Sequence, residues 1–173
     1  MKRVLISTLG SQGDLLPFIA LAQKFASHGH EPILYTNPIF RECVEAAGIS
    51  LVPVGTVEQF TSTLALADAN ATQNPLRAFR PIAAELSARC RDFYQAMRKD
   101  VVAKQSIAIG STFMFALRLL RETHQVPCAT VHLQPMVFRS NERPPRHTAA
   151  SSWLGQLTPF GQLTPRFVTR ALW

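Results

Sequence analysis

The 173-residue sequence lacks an apolar run of the roughly 18 residues that a membrane-spanning helix requires. Its opening, Met-Lys-Arg followed by Val4-Leu5-Ile6, is too short for the hydrophobic region of a secretory signal. A buried strand in a cytoplasmic protein is expected instead. Cysteine is scarce. Cys43, Cys90 and Cys128 are odd in number and widely spaced, and no second cysteine stands beside any of them at zinc-ligand spacing. That excludes a disulfide framework and a zinc site, and small buried thiols in a reducing compartment are expected. No metal site is expected.

Acidic residues are also few, 11 against 18 Lys and Arg. The imbalance is uneven. Residues 1–76 hold four basic and six acidic side chains, whereas residues 77–173 hold fourteen and five. A basic second half suits anionic lipid, an anionic substrate or an acidic domain. Nucleic acid is excluded, because no pattern of interleaved aromatic and basic residues accompanies the charge.

What is present is a run of short alternating elements. Val4 to Thr8 is β-branched and apolar and enters a glycine turn. Leu15, Phe18, Ile19, Ala22, Phe25 and Ala26 then recur at helical spacing. Pro17 is expected in the first helical turn, and Gly29 at the left-handed end. Ile33–Thr36 reads as a second strand. Asn37-Pro38 is a cap followed by proline, the next helix closes at Gly48, and Ile49–Val54 is a third strand. A short helix is expected within Glu58–Ala69. Asn74-Pro75 starts a long amphipathic helix to about Val101, kinked or restarted at Pro81.

Ser106–Ile109 is a fourth strand that ends in a Gly110–Phe113 loop. A helix from about Phe113 to His124 and a fifth strand, Cys128–His132, follow. A proline-rich segment lies beyond. The fold class is therefore α/β, a Rossmann-like parallel sheet with helices on both faces, with expected strand order 3-2-1-4-5. Residues 1–147 are expected to form the domain, with 148–173 as a segment leading out of it.

In such a sheet a ligand binds beyond the carboxyl ends of the strands, where the strand order reverses. That places Leu9–Asp14, Gly110–Phe113 and Leu133–Phe138 around the site. Gly10 and Gly13 permit close backbone approach, and the helix behind them favours a phosphate. Asp14 is the lone carboxylate in these loops. On the residues alone it reads first as a helix N-cap, with general base as the alternative. Ser111 and Thr112 are read as phosphate contacts or caps. His132 reads as a structural histidine, and His28 and His30 belong at the opposite end of the sheet. Leu15, Phe113, Met136 and Phe138 are apolar cleft candidates that also suit a core.

The dinucleotide fingerprint G-x-G-x-x-G is missing, since Gly10-x-x-Gly13 has no third glycine. The second strand also ends in Tyr35-Thr36-Asn37 with no acidic residue for a ribose. Both features argue against a nicotinamide cofactor.

Gly10-Ser-Gln-Gly-Asp-Leu-Leu-Pro-Phe-Ile-Ala-Leu-Ala resembles the opening motif of GT-B glycosyltransferases of family 28. The likeness is to the branch of sterol, glycopeptide-antibiotic and rhamnolipid glycosyltransferases. Gly29-His30-Glu31, Phe40–Val44, Gly48-Ile49 to Pro53 and Thr130-Val-His-Leu-Gln-Pro135 continue the resemblance over about residues 2–147.

The resemblance implies the N-terminal half of a GT-B fold. It also implies inverting transfer of a sugar from a nucleotide diphosphate to a hydroxyl acceptor, a small molecule or a lipid. No cofactor is implied, since the nucleotide sugar is a substrate. Asp14 matches the general base. Gly10, Ser11 and Gly13 match the stretch against the donor diphosphate, and Thr112 and Gln134 fall on loops lining the acceptor cleft. A C-terminal domain that carries most of the donor site is expected after this segment, and residues 1–173 without it are expected to be inactive. A cytoplasmic setting, with peripheral contact at an anionic membrane, is the expected location. An NAD(P)-binding oxidoreductase domain and a non-catalytic membrane-recruiting subunit are the alternatives.

Overall fold

The computed structural model describes residues 1–70 and 75–133. Residues Met1–Val131 form one compact unit. A second unit begins at His132, of which only His132 and Leu133 are described.

The chain opens with β1 (Arg3–Ser7), α1 (Gln12–Ser27) and β2 (Glu31–Thr36). A 3-10 turn over Pro38–Phe40 leads into α2 (Arg41–Ala46) and β3 (Ser50–Pro53). Two helices follow in succession, α3 (Val57–Asn70) and α4 (Pro75–Met97), the latter ending in a second 3-10 turn at Arg98–Asp100. β4 (Ser106–Ser111), α5 (Ala116–His124) and β5 (Cys128–Val131) complete the described part. The five strands are all parallel, in the order β3-β2-β1-β4-β5. This is the expected α/β architecture and strand order.

The alternation of a strand sends successive side chains to opposite faces. Leu5, Tyr35 and Ala108 therefore share one face, where they meet Phe93 and Met97 of α4 and Leu117 and Leu120 of α5. Val4, Ile6 and Leu34 point the other way, toward the side on which α1 packs against β1 and β2. α1 contributes the buried residues Leu15, Phe18, Ile19 and Ala22. Each of the three larger side chains, removed from water, stabilises the fold by about 1.5–3 kcal/mol. Leu15, an apolar cleft candidate in the sequence, is fully buried and belongs to this core.

Glycine ends both helices of the first half. Gly29, at φ +75°, donates to Ala26 O at 2.9 Å while His30 N–H reaches Phe25 O at 3.1 Å. Gly48, at φ +73°, donates to Glu45 O at 2.9 Å, and Ile49 N–H reaches Val44 O at 3.3 Å. Both are Schellman closures, in which a left-handed residue lets two N–H groups satisfy the last carbonyls. Asn37 caps the 3-10 turn through its side chain, which accepts from Ile39 N–H at 3.0 Å.

Four expectations are corrected. α1 starts at Gln12, five residues before Pro17, so the proline lies beyond the first turn. Its ring nitrogen has no hydrogen for the carbonyl of Gly13, one turn back. α4 is one helix through Pro81 and stops at Met97, short of Val101. β4 extends through Gly110 and Ser111, which were expected in a loop. α5 begins at Ala116, so Phe113 lies in the preceding turn. Asn74, the expected cap of α4, lies outside the described residues.

Candidate functional site

The strand order reverses between β1 and β4, and the loops leaving their carboxyl ends diverge there. The β1 loop is Thr8–Ser11, closed by the first turn of α1. Gly10 adopts φ +146°, in the region that favours glycine. A Cβ built on it would land on the Oδ2 of Asp14. Gly10 is therefore required twice, by its backbone and by the carboxylate lying over its Cα.

Ser11, with extended backbone at ψ 178°, is the N-cap of α1, which makes Asp14 the third helical residue and not the cap. The Ser11 N–H donates to Asp14 Oδ2 at 2.9 Å, and the Ser11 hydroxyl donates to the same oxygen at 3.1 Å. The Ser11 carbonyl in turn accepts from the N–H groups of Asp14 at 3.0 Å and Leu15 at 3.2 Å. The bond from Ser11 N–H to the side chain of the third helical residue is the leg of a capping box that reaches back to the cap, here made by an aspartate.

Both side-chain bonds fall on Oδ2, and among the described residues Oδ1 has no hydrogen-bond partner. Asp14 is only partly buried. Helix support and a free proton acceptor thus coexist in one carboxylate. The sequence posed them as alternatives; the signal that combines them is the spacing Ser11-x-x-Asp14.

Gln12 and Gly13 are exposed, and among the described residues their N–H groups have no acceptor, as befits a first helical turn. They are the open donors for an anionic group here. Gly13 differs from Gly10. A Cβ there would meet only Ser11 Oγ at 3.6 Å, an ordinary contact. Its glycine is not demanded by the fold.

On the other side of the switch point, Gly110 packs tightly. A Cβ there would lie 2.8 Å from Ser7 Oγ, 2.9 Å from Leu117 Cδ1 and 3.0 Å from Met114 Cβ. Ser111 follows, 7% exposed, and its side chain caps nothing. α5 has no side-chain cap, and Ser111 serves the turn through its carbonyl, which accepts from Met114 N–H at 3.0 Å. Ser111 Oγ and Thr8 Oγ1 are both buried without a hydrogen-bond partner among the described residues. Each lies one residue past the Ser7–Gly110 pairing, Thr8 just after β1 and Ser111 at the last position of β4. Thr112 is half-buried in the turn beyond. Phe113 and Phe115 of the same turn are 48% and 43% exposed, and Leu16 of α1 is 48% exposed. Apolar surface therefore rims the carboxyl edge.

Gln134, Met136 and Phe138 lie outside the described residues. His132 is half-buried just past β5. His28 and His30 sit at the far end of the sheet, where His30 Nδ1 accepts from Lys2 N–H at 3.2 Å. The thiols of Cys90 and Cys128 are pushed up from their ordinary titration range by burial. Among the described residues no three His, Cys, Asp or Glu side chains cluster as metal ligands, and no helix is long and apolar enough to cross a membrane.

Known proteins with related sequences and structures bear on this geometry. Residues 4–124 match the glycosyltransferase family 28 N-terminal domain. The chain is 28% identical over 181 residues to 4'-demethylrebeccamycin synthase of Lentzea aerocolonigenes, covering 98% of this chain and 42% of that protein. It is 38% identical over 52 residues to a sterol 3-beta-glucosyltransferase of Neurospora crassa, covering 30% of this chain and 3% of that protein. Its backbone resembles the spinosyn rhamnosyltransferase SpnG complexed with thymidine diphosphate, with TM-score 0.56 and 15% identity, over 79% of this chain and 36% of that one. The chain thus spans less than half the length of each.

Proposed function

This chain belongs to the glycosyltransferase family 28 N-terminal domain family, and we propose that it is the acceptor-side half of an inverting glycosyltransferase. The observation that carries the proposal is Asp14. One oxygen is anchored by Ser11 and the other is open, at the reversal point of the sheet.

In this reading the acceptor hydroxyl donates to Asp14 Oδ1. As its proton passes to the carboxylate, the acceptor oxygen bonds to the anomeric carbon from the face opposite the diphosphate. The bond from that carbon to the phosphate oxygen breaks, and the diphosphate leaves with the electron pair. Positioned general-base help of this kind accelerates a reaction by about 10²–10⁴-fold. The open N–H groups of Gln12 and Gly13 and the positive end of α1 suit the departing negative charge. Gly10 keeps the loop close beneath it. Thr112 is assigned to the acceptor side, and the resemblance assigns Gln134 there too. The second domain expected of the family supplies the rest of the donor site.

The exposed Phe113, Phe115 and Leu16 support an apolar alcohol as acceptor. The sterol 3-beta-glucosyltransferase of Neurospora crassa agrees with it, and the thymidine diphosphate bound to SpnG agrees with a nucleotide diphosphate donor. Peripheral contact at anionic lipid, in a cytoplasmic setting, is part of this reading, and the exposed Arg98, Lys99, Lys104, Arg118 and Arg121 support the lipid contact. Sedimentation with phosphatidylserine against phosphatidylcholine vesicles checks that contact.

The reaction itself is tested with the full-length enzyme, dTDP-glucose or UDP-glucose, and a sterol acceptor. Proton NMR of the product is expected to show a β-linked sugar from the α-linked donor. A retained configuration excludes the single displacement described here.

A further inference from the structure

The same few atoms assign a role to Ser11 different from the phosphate contact that its place in the motif implies. We propose that Ser11 is a positioning residue, which pins Asp14 Oδ2 so that Oδ1 is the oxygen that takes the acceptor's proton. The inference rests on the sugar-transfer reading above.

A carboxylate turns easily about its last side-chain torsion, whose profile is broad and roughly two-fold. Either oxygen of an unanchored Asp14 would face the acceptor, in a spread of directions. Two donors from one residue, at 2.9 and 3.1 Å, single out Oδ2. Gly10 completes the clamp. The Asp14 Cγ and Cβ lie 2.8 and 3.1 Å from where a Gly10 Cβ would be, so the carboxylate rests directly on the backbone of its own loop.

An independent observation marks this end of the sheet as one that meets a polar ligand. Thr8 Oγ1 and Ser111 Oγ are nine-tenths or more buried at the ends of the two central strands, and neither has a partner among the described residues. Hydroxyls so placed are ordinarily satisfied.

The clamp has a consequence for the donor. Both hydrogen-bond donors of Ser11 are engaged with Asp14. The diphosphate is therefore left to the open N–H groups of Gln12 and Gly13. Loss of the Ser11 hydroxyl then disturbs the proton transfer and spares donor binding.

The test has two arms. In the 173-residue chain, the amide proton resonance of Ser11 is followed by NMR, and Asp14→Ala is expected to shift it upfield. An unmoved resonance overturns the clamp whatever the reaction. In the full-length enzyme, with dTDP-glucose or UDP-glucose and a sterol, Ser11→Ala is expected to lower kcat about ten- to a hundredfold, the scale of a small misplacement of a reacting group. Donor KM stays within about threefold.

Ser11→Gly, a substitution that an N-cap accepts at little cost, gives the same result if Ser11→Ala folds poorly. Ser11→Thr, which restores the hydroxyl, returns kcat to within about threefold of the wild type. A donor KM raised about tenfold with kcat preserved makes Ser11 a phosphate ligand and overturns the proposal. So does a Ser11→Ala enzyme with both constants unchanged. Absence of sugar transfer by the wild type defeats the functional reading alone, because the amide shift still decides whether Ser11 holds Asp14.

Discussion

Gly10 and Gly13 stand three residues apart in one loop, yet the fold needs them for different reasons. Gly10 has a backbone conformation that other residues rarely adopt and has Asp14 against its Cα. Gly13 has neither constraint. Gly10→Ala is therefore expected to destabilise the chain by about 1–3 kcal/mol and to push Asp14 off its anchor. Gly13→Ala is expected to leave thermal stability unchanged or slightly raised, since alanine is the better helical residue by about 1 kcal/mol. Thermal unfolding of the two variants beside the wild type checks this. Equal destabilisation by both would show that the loop is not built around Asp14. The sequence marked both glycines as permissive and did not separate them, because the separation depends on where the Asp14 side chain lies.

At the scale of elements, the sheet was legible from local signals. The strand–helix alternation, the glycine ends of α1 and α2 and the Asn37-Pro38 turn all come from residues within a few positions of one another. The start of α1 was not read correctly, because Pro17 favours a first turn and drew the boundary toward itself. The capping pair Ser11 and Asp14 outweighs that preference. β4 was read two residues short because Gly110 resembles a turn. It stays in the strand because it pairs with Ser7 of β1 and Thr130 of β5, and it is glycine because no Cβ fits against Ser7 and Leu117.

A third feature had no local signal. Tyr35, fully buried in β2, donates its hydroxyl proton to Asp100 Oδ2 at 2.7 Å, across 65 positions of sequence. Arg3 ties the same corner by pairing with Glu31 at 3.1 Å and donating to the Asp100 carbonyl at 3.3 Å. Burial first, and then the bond to Asp100, raise the Tyr35 phenol far above its ordinary titration range.

The fold thus holds that proton more tightly than the unfolded chain does. Its contribution to stability is complete below the unfolded value of about 10 and is lost as pH rises through it toward the folded value. Above about pH 10 this one group is expected to cost about 1.4 kcal/mol per pH unit. Tyr35→Phe should remove that slope and cost about 1.5 kcal/mol at neutral pH, where a bond to a charged partner is lost. Urea unfolding of both proteins between pH 7 and 11 measures the difference. Parallel alkaline slopes would contradict the assignment.

The whole molecule brings these parts to one edge. Core residues on both faces fix the sheet, the strand order reverses between β1 and β4, and that reversal opens at Asp14, Thr8 and Ser111. The chain is the N-terminal domain of its family and spans 42% of its Lentzea relative, so complete turnover is a property to be measured on the full-length enzyme. The central claim is that Asp14 Oδ1 accepts the acceptor's proton while Oδ2 keeps the helix start in place.

Asp14→Asn separates the two jobs, because an amide oxygen can still accept from Ser11 but the side chain cannot take up the proton. The decisive measurement is kcat of Asp14→Asn in the full-length enzyme, with thermal unfolding as the control. A loss of about a hundredfold or more with the fold intact is expected. Turnover within about threefold of the wild type would contradict it and leave Asp14 as a helix cap alone.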